Sequence, residues 1–156
     1  MKQIGLAPNP HKKEALQLAA ELAEWLAQRG VQSLVCRDVA EGIGRHATVA
    51  PEHEVAGADL LLVLGGDGTM LRWSRLAVDN DTPMMGINFG QYGFITEIHP
   101  SDAKAALNRI LGGDYTINER VVLARDSGQE RGMQTGRRRF QELRDVPEER
   151  LTSEQK

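Results

Sequence analysis

The sequence predicts an α/β domain built on a parallel sheet, with helices on both faces in three layers. Short apolar runs recur at 4–7, 31–36, 60–64 and 84–88. Stretches with helical spacing separate them, and glycine clusters fall where the later runs end. Strands alternating with helices need crossover connections, and crossovers place helices on the sheet faces.

Each element has its own signal. Ile4–Ala7 reads as the first strand, with Asn9-Pro10 as N-cap and first turn of a helix. Ala15, Leu18, Ala19, Leu22 and Leu26 recur at helical spacing, and Gly30 stops that helix. Val31–Cys36 is the second strand, and residues 38–57 read as a weakly patterned loop. Leu60–Leu64 is a continuous apolar strand suited to a position covered on both faces. Met70, Trp73 and Ala77 mark one face of a helix after it, and Met84–Asn88 is the fourth strand. Ser101 is expected to cap a helix carrying Ala103, Ala106, Leu107, Ile110 and Leu111, closed by Gly112-Gly113. Tyr115–Ala124 reads as a last strand.

Length and charge divide the chain further. Its 156 residues fit one domain. Residues 1–126 hold 12 Lys/Arg against 16 Asp/Glu, whereas 127–156 hold 7 against 6. The second stretch has few large apolar residues and reads as a polar, flexible tail with transient helix. The expected division is a nucleotide-binding unit at 1–114, a strand leading onward at 115–125, and the tail at 126–156. A net charge of −3 gives no general pull toward nucleic acid or anionic membrane. No apolar run reaches the ~20 residues of a bilayer span, and the first residues lack a signal-peptide core. A cytoplasmic protein without nucleic-acid or membrane partners is expected, and a homo-oligomer stays open. Cys36 is the single cysteine, expected to be buried, so a disulfide framework is excluded. His11, His46, His53 and His99 show no metal-ligand spacing. Arg137–Arg139 is followed by Glu142, Asp145, Glu148 and Glu149, and reads as a solvated charge run.

The chemistry concentrates in two stretches. In LLLVLGGDGTMLRWSR, an apolar strand runs into Gly65-Gly66-Asp67-Gly68-Thr69 and a helix follows. Glycines at the carboxyl end of a strand let backbone approach phosphate oxygens, and the helix start offers amides to an anion. Asp67 adds a carboxylate able to take a proton from a sugar hydroxyl or help hold Mg²⁺. The alternative is that the glycines only turn the chain and Asp67 only caps the helix. In INFGQYGFIT, Asn88 ends a strand and Gly90 and Gly93 open the next turn. Phe89, Tyr92 and Phe94 cluster there, suited to pack on a base or nicotinamide ring. A core role for Phe94 is the competing reading.

GGDGT at 65–69 with Asn88-Phe89-Gly90-Gln91-Tyr92-Gly93-Phe94 resembles the NAD kinases, the ATP/polyphosphate-NAD kinase family. GGDGT alone is shared with diacylglycerol and sphingosine kinases, and phosphofructokinases carry a relative. The second motif and INERVVLA at 117–124 separate the families. The resemblance implies phosphoryl transfer from ATP, or polyphosphate, to the 2′-hydroxyl of NAD with Mg²⁺. It implies that Asp67 is the proton acceptor, and that Gly65, Gly66, Asp67, Gly68, Thr69, Arg72, Asn88 and Phe94 bind the nucleotides. Tyr92 departs mildly from the family's usual leucine. The resemblance covers about residues 1–124, and the family's second, β-rich domain has no counterpart here, so an incomplete chain is expected. The alternatives are a nucleotide-binding module without turnover and a kinase of another substrate with the same motif.

Overall fold

The computed structural model describes residues 1–89, 98–123 and 137–144, with side chains described through 117. The elements run β1 (Gln3–Pro8), α1 (Lys13–Ala27), β2 (Gln32–Val35), α2 (Arg37–Ile43), β3 (Ala47–Val49), α3 (Glu52–Ala56), β4 (Leu60–Gly65), α4 (Asp67–Val78), β5 (Met84–Asn88), α5 (Ala103–Leu111), β6 (Thr116–Leu123) and β7 (Arg137–Arg144). A single 3-10 turn, Pro100–Asp102, precedes α5.

The sheet order is β3-β2-β1-β4-β5-β7-β6. The first five strands are all parallel. β4 is buried along its whole length, as its unbroken apolar run requires. Helix α1 packs on α2 and on the β1–β2 side of the sheet, while α3 packs on α4. Lys104 of α5 reaches Glu21 of α1 at 3.7 Å, which sets α5 beside α1. The core gathers Ile4, Leu6, Leu22, Leu26, the β4 leucines, Met70, Met84 and Ile87, all fully buried.

Two contacts fix β1 in this arrangement. The Asp59 carboxylate, just before β4, accepts from the amides of Lys2 (2.7 Å) and Gln3 (2.9 Å). These bonds hold the Asp59 carboxyl below the usual carboxylate range. Within β1, a Cβ on Gly5 would lie 2.2 Å from the carbonyl oxygen of Val55. Glycine is therefore what lets α3 approach the sheet. Gly5→Ala forces backbone against backbone and is expected to destabilise the fold by about 2–3 kcal/mol. The urea midpoint measures this, and an unchanged midpoint would show that α3 yields freely.

The structure corrects several expectations. Residues 38–57 hold α2, β3 and α3, not a loop. With seven, three and five residues, these elements are shorter than the window over which a period is readable. Helix α1 starts at Lys13, with Lys12 at its N-cap and no side-chain cap bond. Asn9 instead forms a local turn, its Oδ1 accepting from the His11 amide at 3.0 Å. Leu18 is only partly buried, and Ala23 takes its expected place on the packed face. Ser101 lies in the turn before α5, where its amide donates to the His99 ring at 3.2 Å. Within the stretch read as a tail of transient helix, Arg137–Arg144 forms β7, antiparallel to β6 from Thr116↔Arg144 to Leu123↔Arg137. Phe140 and Leu143 are three apart and give no strand alternation. The ladder of backbone hydrogen bonds, and not an apolar pattern, makes this strand.

Candidate nucleotide site

Chain order along the sheet reverses between β1 and β4. From β1 the chain moves out through β2 and β3, then returns to β4 and continues outward through β5. Ligands in open α/β sheets bind in the crevice that opens at such a switch point, beyond the carboxyl ends of the strands. Here that crevice is bordered by Pro8-Asn9, Gly65–Thr69 and Asn88. Pro8 is in register with Leu64, and Gly65 with Asn88. The Asn9 amide donates to the Leu64 carbonyl at 2.8 Å, tying the end of β1 to β4.

The glycines of the first motif do different things. A Cβ on Gly65 would meet Thr69 Oγ1 at 2.8 Å and the Asn9 Cβ at 3.3 Å. Gly65 is therefore required by the close fold of the turn itself. At Gly66 and Gly68 an added Cβ would meet nothing within 4 Å. Gly66 has φ −106° and ψ −170°, which other residues adopt, and Gly68 is helical and exposed. Packing and backbone conformation leave these two glycines unexplained. What they do is keep the mouth of α4 open to close approach. The first helix amide to find its acceptor within α4 is that of Met70, bonded to the Gly66 carbonyl at 3.1 Å. The amides ahead of it belong to the first turn of α4, which supplies no intrahelical acceptor for them.

Asp67 is the first residue of α4 and is partly exposed at this mouth, as is Thr69. Asn88 stands at the end of β5, one strand over, and its amide donates to the Ile98 carbonyl at 2.8 Å. Ile98 also bridges Ile87, so the chain returns to β5 after the second motif. Phe89 packs partly against the core. Gly90, Tyr92, Gly93 and Phe94 lie outside the described residues. Arg72, one turn further along α4, forms an ion pair with Glu52 at the start of α3 and lies 5.6 Å from the Trp73 ring centroid.

Sequence reasoning missed two features of this edge. Asn9, which the sequence suggests as a helix cap, lies beside Gly65 in the crevice; its place at the end of the first strand is the signal. Glu52, the partner of Arg72, falls in a stretch whose weak pattern predicts a loop. Cys36 is buried as expected and stands at the N-cap position of α2 without a side-chain cap bond. Burial, then the Asp38 and Glu52 carboxylates, push its thiol up to about 11, so it stays protonated at neutral pH. Among the described residues, no group of three His, Cys, Asp or Glu side chains is placed to hold a metal. No described helix is long and apolar enough to cross a membrane.

Comparison with known proteins agrees with this geometry. The ATP-NAD kinase N-terminal domain family matches residues 4–115. The NAD kinase of Heliobacterium modesticaldum is 42% identical over 126 residues, covering 79% of this chain and 44% of that protein. The NAD kinase of Methanothermobacter thermautotrophicus is 34% identical over 124 residues, again covering 44% of that protein. The chain thus spans less than half the length of these relatives. In fold, it is similar to yeast NADH kinase solved with NADH, at TM-score 0.70 and 18% identity, over 90% of this chain and 46% of that one. It is also similar to an Archaeoglobus fulgidus NAD kinase solved with ATP, at TM-score 0.52 and 20% identity, over 80% of this chain and 43% of that one. With the family match covering most of the chain and the motif glycines at the switch point, this chain belongs to the NAD kinase family and carries its N-terminal domain.

Proposed function

We propose that this chain is the nucleotide-binding half of an NAD kinase. In that reading it takes part in transferring a phosphoryl group from ATP or polyphosphate to the 2′-hydroxyl of NAD. The observation that carries the proposal is the pair Gly66 and Gly68, which have open space where a side chain would stand. Backbone exposed in this way at a helix mouth suits phosphate oxygens. In this reading Asp67, between the two glycines, accepts the proton of the attacking hydroxyl. Thr69 and Asn88 border the same crevice and offer hydrogen bonds to the ligand. Phe94 and Arg72 complete the proposed binding set, Arg72 from the second turn of α4.

The donor set suits Mg²⁺ in a limited way. Asp67 offers one carboxylate, and Mg²⁺ is commonly held by one or two carboxylates together with substrate phosphates. A Mg²⁺ held there by Asp67 and the substrate's phosphates would supply positive charge against that developing in transfer. We further read the protein as cytoplasmic, working on small molecules without nucleic-acid partners. Residues 1–114 form the nucleotide-binding unit, with 115–125 leading out of it.

The test is Gly68→Ala. If Gly68 serves only the helix, alanine stabilises α4 by up to about 1 kcal/mol and changes nothing else. If the glycine leaves room for phosphate, the added methyl group weakens ATP and tripolyphosphate binding about tenfold or more while the melting temperature holds or rises. Calorimetric titration with a thermal melt reads both. Intact binding in a more stable variant would overturn the cradle.

A further inference from the structure

A second concavity opens at the same edge of the sheet, beyond the carboxyl ends of β2 and β3. It has a volume of about 420 Å³ and is lined by Cys36, Arg37, Asp38, Val49, Pro51 and Glu52 among others. Nothing in the phosphate-binding proposal uses it. Deepening that proposal and resting on it, we propose that this cleft receives the ribose of a ribonucleotide whose phosphates lie on Gly65–Thr69, with Asp38 accepting from the sugar hydroxyls.

Four observations support the assignment. First, β2 is separated from β4 by β1 alone, so the cleft lies about two strand spacings, roughly 10 Å, from the glycine turn. That separation is within the reach of one nucleotide. Second, the cleft lies beyond the carboxyl end of β2, the edge at which open α/β sheets bind their ligands, and carries a carboxylate there. Asp38, in the first turn of α2, holds that place. It is exposed and has no hydrogen-bond or ion-pair partner among the described residues. Third, the helix that opens at the glycine turn also reaches the cleft, because Arg72 of α4 pairs with Glu52 on the cleft wall. The two regions therefore share one rigid element. Fourth, Val49 leaves 49% of its surface exposed at the rim, an apolar contact for a sugar or base.

Hydrogen bonding sets the direction of the ligand. Arg37 also lines the cleft and Arg72 pairs with Glu52, so Asp38 is the carboxylate there that accepts from neutral hydroxyls. The glycine turn suits the phosphate end and Asp38 the ribose end. The Cys36 thiol, protonated, adds a small apolar surface.

The experiment is calorimetric titration of the 156-residue protein and its Asp38→Asn variant. The ligands are ATP, 2′,3′-dideoxy-ATP, NAD and tripolyphosphate. We expect Asp38→Asn to weaken one ribonucleotide about tenfold, the loss of a hydrogen bond to a charged group. Tripolyphosphate binding is expected to hold or tighten slightly. If ATP is the weakened ligand, the cleft serves the donor, and dideoxy-ATP should bind both proteins alike. If NAD is weakened, it serves the acceptor. Unchanged ATP and NAD binding in Asp38→Asn, with tripolyphosphate still bound, would refute the ribose assignment and leave the cradle standing. An equal loss for every ligand would also refute it. Absence of all binding to the unaltered protein would remove the cradle, and the ribose assignment with it.

Discussion

Asp67→Asn is expected to lower kcat by about 10²–10⁴-fold, with little change in the KM for NAD. Asparagine keeps the size of the side chain and its ability to accept hydrogen bonds at the start of α4, but it cannot take up the hydroxyl proton. A loss confined to the transition state therefore appears in kcat. The measurement needs an active background. A chimaera joining residues 1–123 to the C-terminal half of the Heliobacterium relative, 42% identical over the shared stretch, provides one. NADPH formation is read with an NADP-specific dehydrogenase. If the asparagine variant keeps most of its activity, Asp67 positions the helix mouth and does not move the proton.

The largest effect is expected between that chimaera and the 156-residue chain by itself. The described half brings the motif glycines and the Asp67 carboxylate to a single crevice. In-line transfer also needs the NAD ribose held against the donor. Such orientation is worth roughly 7–11 kcal/mol of barrier. We expect the 156-residue chain to bind nucleotide weakly and to form NADPH at least about 10⁵-fold more slowly than the chimaera. Both proteins should keep the stability of the β1–β5 core, which a thermal melt checks. Comparable rates would mean that the described half, or a pair of its copies, builds the complete site. Among the described strands β6 is outermost, which makes such pairing testable by light scattering, since an edge strand favours association.

The long elements and the first motif were legible in the sequence for a simple reason. Leu60–Leu64 is apolar throughout because β4 is covered on both faces, and Ala15, Ala19, Leu22 and Leu26 repeat because α1 buries one face. Local pattern and tertiary environment agree there, so the pattern suffices. The short elements at 37–56 carry too few residues for a period, and β7 exists through its ladder with β6. The motif Gly65–Thr69 and the place of Asn88 at a strand end were also readable, since glycine after an apolar run marks a turn by itself.

Three-dimensional contacts decided the rest. Sequence by itself determined that this is an alternating α/β chain with a glycine turn after its central strand. It could not show that β1 and β4 are neighbours, because strand order depends on which sheet edge each crossover returns to. That order places Asn9 beside Gly65 and makes the crevice. Nor could spacing tell Gly65, which Thr69 and Asn9 leave no room to replace, from Gly66 and Gly68, which face open space. The three look alike in a string of letters. What distinguishes them is the distance from an absent side chain to atoms elsewhere in the fold.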